Sequence, residues 1–392
     1  MGGGSGKILA KVFQDFLEVM VTKYVPNHKV TWYFQKGTKT IENLKEDDIY
    51  SSYQLLLERG KELVQKKYKI PTEIQIAEIL QQISIAEAQQ LYQDNLYFLK
   101  QGVRTVFRTS VNAEALYEFR QQVGAVKEIL LNKQDFNVFD DLSHSKTRKI
   151  LLLRDQSEGY YANTSYKIKN HGNKEEIIEF KGKYSKVQIR RLVEFAKKRG
   201  DSRFGRKNYS IWASYKNHLF SNRISAWFEE FDPKIQVFQP DTGFTKLFDF
   251  INGRKENGHD NIVFITSNEI GDLVYEPFIE ILKSTGEKLD LFSKSFFINP
   301  PFKGNQFVEY QNVHGSADDL FKEQREHELI PYSTLRIAAE ILKKQFELNH
   351  IQGIVDKAIA KTKLHFLISE EKYDIYTAID FIKNEINQLY KL

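Results

Sequence analysis

"IPTEIQIAEILQQISIAEAQQLYQD", residues 70–94, is the stretch on which the N-terminal architecture turns. Its apolar side chains Ile76, Ala77, Leu80, Ile83, Ala88 and Leu91 fall at helical intervals. Pro71 followed by Thr72 marks a helix start, because proline lacks only an N–H that the first turn leaves unpaired anyway. Gln81-Gln82-Ile83 then reads as a turn, with Ser84 as the N-cap of a second helix. Two helices meeting at an angle need small residues where they approach, and Ala77 and Ala88 supply them. The stretch predicts a helix-turn-helix, or more simply a pair of packed helices.

Pro71-Thr72-Glu73, Ile76-Ala77-Glu78 and Ile83-Ser84 resemble the helix-turn-helix of bacterial sigma factors, over roughly residues 60–94. Where that family usually has one glycine, this chain carries Gln81-Gln82. The resemblance implies a second helix that enters a major groove, with Gln89, Gln90 and Gln93 reading base edges.

Working outward, "MGGGSGK" has no apolar targeting segment, and residues 1–6 read as a flexible linker. Residues 7–24 place Ile8, Phe13, Phe16, Leu17 and Met20 near one helical face. The helical texture continues through "VNAEALYEFRQQVGAVKEILLNK" to about residue 133, giving a helical domain over 7–140. Texture then changes. "KILLLR", "TSYKIK" and "EEIIEFKGKY" read as strands, and "SKVQIRRLVEFAKKRG" as a helix capped by Ser185 and ended by Gly200. These make 141–230 an α+β segment. From Lys234, "KIQVF", "TKLFDFING", "NIVFIT", "LVYEPFIEILKS" and "SFFI" alternate strand and helix, the pattern of a small Rossmann-like α/β unit over 231–332. Helices over 333–392 complete a mixed α and β chain.

The chain has 392 residues, 41% of them hydrophobic, which is enough to build two or three cores. Cysteine is absent, so disulfides, thiolate metal sites and cysteine nucleophiles are excluded. The nine histidines are scattered and form no H-E-x-x-H, which argues against zinc. Neither a P-loop nor a G-x-S-x-G nucleophile turn is present. No apolar run reaches the ~18–20 residues that span a bilayer, so a cytoplasmic protein without membrane partners is expected.

Charge is uneven. Asp141 to Arg223 holds 20 Lys and Arg against 8 Asp and Glu, leaving 37 basic and 44 acidic residues to the rest. Arg190, Arg191, Lys197, Lys198, Arg199, Arg203, Arg206 and Lys207 crowd together there, with Tyr209 and Trp212 beside them. Cations neutralise phosphates while aromatic faces stack unpaired bases, so the segment predicts a nucleic-acid surface; the bland reading is a solvated basic face. Within it, Glu179-Phe180-Lys181 is the E-x-K half of a PD-(D/E)xK nuclease pattern, a common triplet. Asp155 is the second carboxylate that a Mg²⁺ would require.

Asn299-Pro300-Pro301-Phe302 resembles the catalytic loop of adenine-N6 methyltransferases. That resemblance implies Asn299 and the Pro300 carbonyl accepting from an adenine amino group, and Phe302 stacking on a flipped base. It also implies S-adenosylmethionine held near Gly243, with Glu269 on the ribose. The chain departs by having only Gly243 in the cofactor turn and Gln239 where an acid is usual. No strands completing such a sheet are legible beyond Phe302.

The expectation is a DNA-binding protein, sigma-like or of promoter, replication, mobile-element or phage origin, with no cofactor. Alternatives are a methyltransferase using S-adenosylmethionine or its inactive relative, a Mg-dependent nuclease of a defence system, and a non-catalytic protein-binding subunit. Its partners would be nucleic acid and a larger transcription or defence complex.

Overall fold

Between Glu73 and Lys100 there is no glycine or proline, and Ala, Leu, Gln and Glu all favour helix, so the backbone runs straight through Gln81-Gln82. The computed structural model describes residues 6–33, 73–108, 113–132, 148–159, 166–171, 175–251, 260–275, 292–302, 304–312, 325–369 and 371–389. Within these, 73–100 is one 28-residue helix, and Ser84 lies buried inside it rather than at a cap. The expected helix-turn-helix does not form. Pro71 and Thr72 lie outside the described residues.

The helices are α1 (Gly6–Tyr24), α2 (Glu73–Lys100), α3 (Ala113–Val123), α4 (Lys186–Phe204), α5 (Arg223–Phe231), α6 (Pro240–Ile251), α7 (Tyr332–Phe346), α8 (Ile351–Ile368) and α9 (Ile375–Leu389). An unlabelled helix also opens at Asn268, directly after a strand. The strands are β1 (Thr105–Arg108), β2 (Ala125–Asn132), β3 (Lys149–Asp155), β4 (Tyr166–His171), β5 (Glu175–Phe180), β6 (Ser210–Ser214), β7 (Gln236–Phe238), β8 (Asn261–Ser267), β9 (Phe292–Phe297) and β10 (Gly304–Asn312). None of the described helices is long and apolar enough to cross a membrane.

Eight strands form one mixed sheet in the order β1-β10-β9-β2-β3-β8-β6-β7, while β4 and β5 pair separately as a hairpin. Strands β3, β8, β6 and β7 are mutually parallel, and β2 and β9 run antiparallel to their neighbours. The sheet takes β1 and β2 from residues 7–140, β3 and β6 from 141–230, and β7 to β10 from 231–332. A helical N-terminal domain ahead of a small Rossmann-like unit is therefore corrected to one large sheet with helices on both faces. The N-terminal segment supplies an edge strand and a central strand of that sheet.

Gly124 explains part of the difference. It adopts φ +61° and ends α3, so the chain turns and "AVKEILLN" enters the sheet as β2 rather than prolonging the helix. A Cβ there would lie 2.6 Å from the Asn299 side chain. Gly200 does the reverse. It lies inside α4 with the Tyr209 ring against it, and the helix continues to a cap at Gly205.

Each face of the sheet carries its own core. Leu151, Leu153, Val126, Val263, Ile265, Ala213 and Phe296 pack under α1, α4, α5 and α7 to α9. On the opposite face, Leu152, Phe264 and Trp212 pack with Leu247 and Phe250 of α6. Phe297, Phe302 and Phe307 pack on that same side with Leu91 and Phe119 of α2 and α3. The gap between these last two clusters is polar, and it holds the site.

Candidate active site

Register places Glu309, Ser295, Lys127, Arg154 and Thr266 side by side across β10, β9, β2, β3 and β8. Opposite residues on paired strands project to one face, so these side chains form a single row. Arg108 of β1 reaches the same row and donates to Glu309 Oε1 at 2.5 Å. Arg120 comes down from α3, and Asp272, from the helix opening at Asn268, accepts from Arg154. Four cations, Arg108, Arg120, Lys127 and Arg154, thus meet two carboxylates in the seam. The Asp272 side chain is 43% exposed, so the seam reaches solvent there.

The electrostatics register this imbalance. Burial, then the Arg108 guanidinium, lowers Arg120 to about 9. Burial, then Arg154 and Arg120, lowers Lys127 to about 7. A guanidinium keeps its charge at neutral pH, so the crowding amounts to an unmet demand for anion. Arg108 Nε and Nη1 and Arg120 Nε are buried with no hydrogen-bond partner among the described residues. Gly271 keeps Arg154 in place, because a Cβ there would collide with the stem of that side chain.

A second polar group lies on the other face, at the carboxyl ends of β3, β8 and β6, where open α/β sheets place their crevices. Asp155 is 1% exposed, and its Oδ1 accepts from Ser157 N at 2.9 Å and Ser157 Oγ at 2.5 Å. Burial, reinforced by the Glu158 charge, pushes Asp155 up to about 7. The Tyr184 hydroxyl donates to Glu269 Oε1 at 2.7 Å. Burial raises Tyr184, and with it Tyr215, which faces Asp155, Tyr184, Glu269 and Glu158. Glu158 accepts from Ser185 N and Oγ at 2.6 Å each, so a carboxylate already occupies the α4 N-terminus.

The cations expected to grip phosphate are instead largely bound to the protein. Arg199 makes two bonds to Glu128, at 2.5 and 2.7 Å, and Arg203 a third at 2.9 Å. Lys197 pairs with Asp232 at 2.8 Å, Arg190 lies 5.0 Å over the Phe231 ring, and Arg191 donates to Asn299 Oδ1 at 2.7 Å. Trp212 is buried in the core, and the Tyr209 hydroxyl lies 2.9 Å from the Lys197 carbonyl. Lys198, Arg206 and Lys207 are exposed. Gln89, Gln90 and Gln93 are exposed on α2, lining a groove of about 580 Å³ with Tyr92 and Gln122.

Asn299 also donates to the Gln122 carbonyl at 3.2 Å. It is followed by the cis Pro300–Pro301 bond, and Phe302 is wholly buried against Phe297 and Phe307. Gly243 sits within α6 against Ser214. Glu179 is exposed on the β4–β5 hairpin and Lys181 directly follows it, whereas Asp155 ends β3 of the large sheet. Arg108, Arg120, Lys127 and Arg154 were not singled out from the sequence. Their signal is a lone cation within each of "TVFR", "ALYEFR", "AVKEILL" and "ILLLRD".

A family model described as isocitrate/isopropylmalate dehydrogenase matches residues 53–382. Among solved structures, isocitrate dehydrogenase from Methylococcus capsulatus is similar with a TM-score of 0.57 at 13% identity, over 98% of this chain and 97% of that one. TT0538 protein from Thermus thermophilus gives a TM-score of 0.49 at 15% identity, over 72% of this chain and 55% of that one. No curated sequence matches.

These findings overturn the sigma-factor and methyltransferase resemblances and the DNA-binding, nuclease and protein-subunit readings. The sigma likeness rests on a turn where α2 runs on as continuous helix, and the methyltransferase likeness on Asn299 and Phe302, which are engaged inside the protein. The nucleic-acid reading rests on a basic stretch whose Lys197, Arg199 and Arg203 pair with the protein's own carboxylates. Nucleic acid and a transcription or defence complex are withdrawn as expected partners, since homologues in this family act on small molecules. The absence of a cofactor is corrected as well, since the family uses a nicotinamide dinucleotide and a divalent metal, and S-adenosylmethionine has no place in it. The described residues do not fit the metal. They contain no cluster of three metal-ligating side chains.

Proposed function

Because the chain belongs to the isocitrate/isopropylmalate dehydrogenase family, we propose that it oxidises a small 2-hydroxy polycarboxylate held by Arg108, Arg120 and Arg154. The carrying observation is the seam, in which buried guanidinium N–H groups lack acceptors and cations outnumber carboxylates. An unpaired buried donor is costly, and a carboxylate accepts two parallel guanidinium bonds at once. An anion with two or three carboxylates satisfies both demands. Arg154, held by Asp272 and backed by Gly271, would fix one carboxylate; Arg108 and Arg120 would take another.

The chain's own contribution is to bind, orient and partly desolvate the substrate. A nicotinamide cofactor supplies the hydride acceptor in chemistry of this kind. Nicotinamide reduction followed by absorbance, across a panel of 2-hydroxy di- and tricarboxylates, tests the reading. One panel member should turn over, and Arg120→Gln should lower kcat/KM for it by about 100-fold, the loss that follows from removing one buried charge partner. Turnover unaffected by Arg120→Gln, or no turnover and no binding of any panel member, refutes it.

A further inference from the structure

Lys127 differs from its three partners in kind. Arg108, Arg120 and Arg154 carry permanent charge, whereas a lysine ammonium gives up its proton when crowded or dried. Lys127 stands in the side-chain row beside Arg154, half-buried, with Arg120 and Arg108 as its other cationic neighbours. Its nearby carboxylate is Asp272, already held by Arg154, and the Tyr275 ring lies 6.0 Å from its ammonium. Glu309, the remaining carboxylate of the seam, is held by Arg108. No described carboxylate is therefore left over for Lys127. What the geometry withholds from it, a ligand can bring.

We propose that Lys127 is the specificity residue of the anion seam, taking up a proton as a third carboxylate arrives and so favouring tricarboxylates over dicarboxylates. This rests on the seam being the substrate site. Burial and the neighbouring guanidinium groups hold the empty-site Lys127 at about 7. Above that pH it is mostly neutral, and the seam offers three fixed charges. A dicarboxylate can be satisfied by those three. A third carboxylate makes the Lys127 ammonium favourable again, and the proton comes from solvent.

Calorimetric titration of the full chain with citrate and with malate, in two buffers of different ionisation enthalpy at pH 7.5, separates the outcomes. Citrate should bind the wild type with uptake of about three quarters of a proton, the neutral fraction for a group near 7, and malate with much less. Lys127→Met should abolish the uptake and weaken citrate by about tenfold or more, while changing malate by less than about threefold. Lys127→Arg, which fixes the charge and preserves the bulk of the side chain, should restore citrate affinity without restoring uptake. Uptake that persists in both variants overturns the proposal, as does equal weakening of both anions in Lys127→Met. If the wild type binds neither anion, the substrate-site reading itself fails and Lys127 loses its role with it.

Discussion

Asp155→Asn removes a buried carboxyl group without changing its shape, and the expected consequence has a definite sign. Asp155 lies at the end of β3 among Glu158, Tyr184, Tyr215 and Glu269. Burial raises it to about 7, and the Ser157 hydrogen bonds only partly oppose the rise. The native state thus holds a proton that the unfolded chain releases near the ordinary value of 3.8. Between those two values the native state binds more protons than the unfolded state, so stability falls as pH rises. The gap spans about three pH units at about 1.4 kcal/mol each, or about 4 kcal/mol lost between pH 4 and pH 7. Asparagine carries no such proton. Its Oδ1 can keep both Ser157 bonds. Urea unfolding at pH 4.5 and at pH 8 should show the wild type losing stability across the interval, and Asp155→Asn losing less by about 3 kcal/mol. Equal pH dependence in the two proteins would mean that Asp155 is ionised in the native state, and the account of this crevice as a dry, proton-holding group would be wrong.

Two further expectations concern the corrected parts of the fold. Burial works to raise Glu128, but the Arg199 hydrogen bond and the Arg199, Arg203 and Lys294 charges together push it down to about 2. Its contribution is complete above the ordinary carboxylate range and disappears as pH falls toward 2; at neutral pH Glu128→Ala should cost about 3–5 kcal/mol by leaving Arg199 buried without its partner. A loss below about 1 kcal/mol in chemical unfolding would put Arg199 back among the free surface cations. Gln82→Gly tests the continuity of α2 directly. Glycine inside a helix costs about 1 kcal/mol, whereas at a turn it would be neutral or stabilising, and thermal unfolding with circular dichroism distinguishes the two.

How far the fold was legible depends on whether local pattern and tertiary role agreed. Strands β3, β7, β8 and β9, the start of helix α4 with Ser185 as its cap, and the presence of helices within 333–392 agree with the sequence pattern. In those segments the apolar face that patterning exposes is the face the core uses. Agreement failed at β2 and β10. "AVKEILLN" mixes the helix formers Ala, Lys, Glu and Leu with Val and Ile, so its local preference is divided, and Gly124 before it marks the change of direction. "GNQFVEYQN" carries Glu309 at a position that looks exposed, yet it is buried because Arg108 from β1, some 200 residues earlier, neutralises it. Pairing across such a separation leaves no local trace. The same fact governs the site. Arg108, Arg120, Lys127 and Arg154 come from four elements, and none lies within ten residues of a second cation of the seam except Lys127 and Arg120. Charge density along the chain drew attention to 141–223, where Lys197, Arg199 and Arg203 are met in space by Asp232 and Glu128. The informative cations were the isolated ones inside apolar strands and on helix α3, because burying a charge is unfavourable unless an opposite charge meets it. For Arg108 and Arg154 the chain provides one carboxylate each, and for Arg120 and Lys127 the described residues provide none. That remainder is what makes the seam a receptor for an anion rather than an internal salt-bridge network like the one around Glu128.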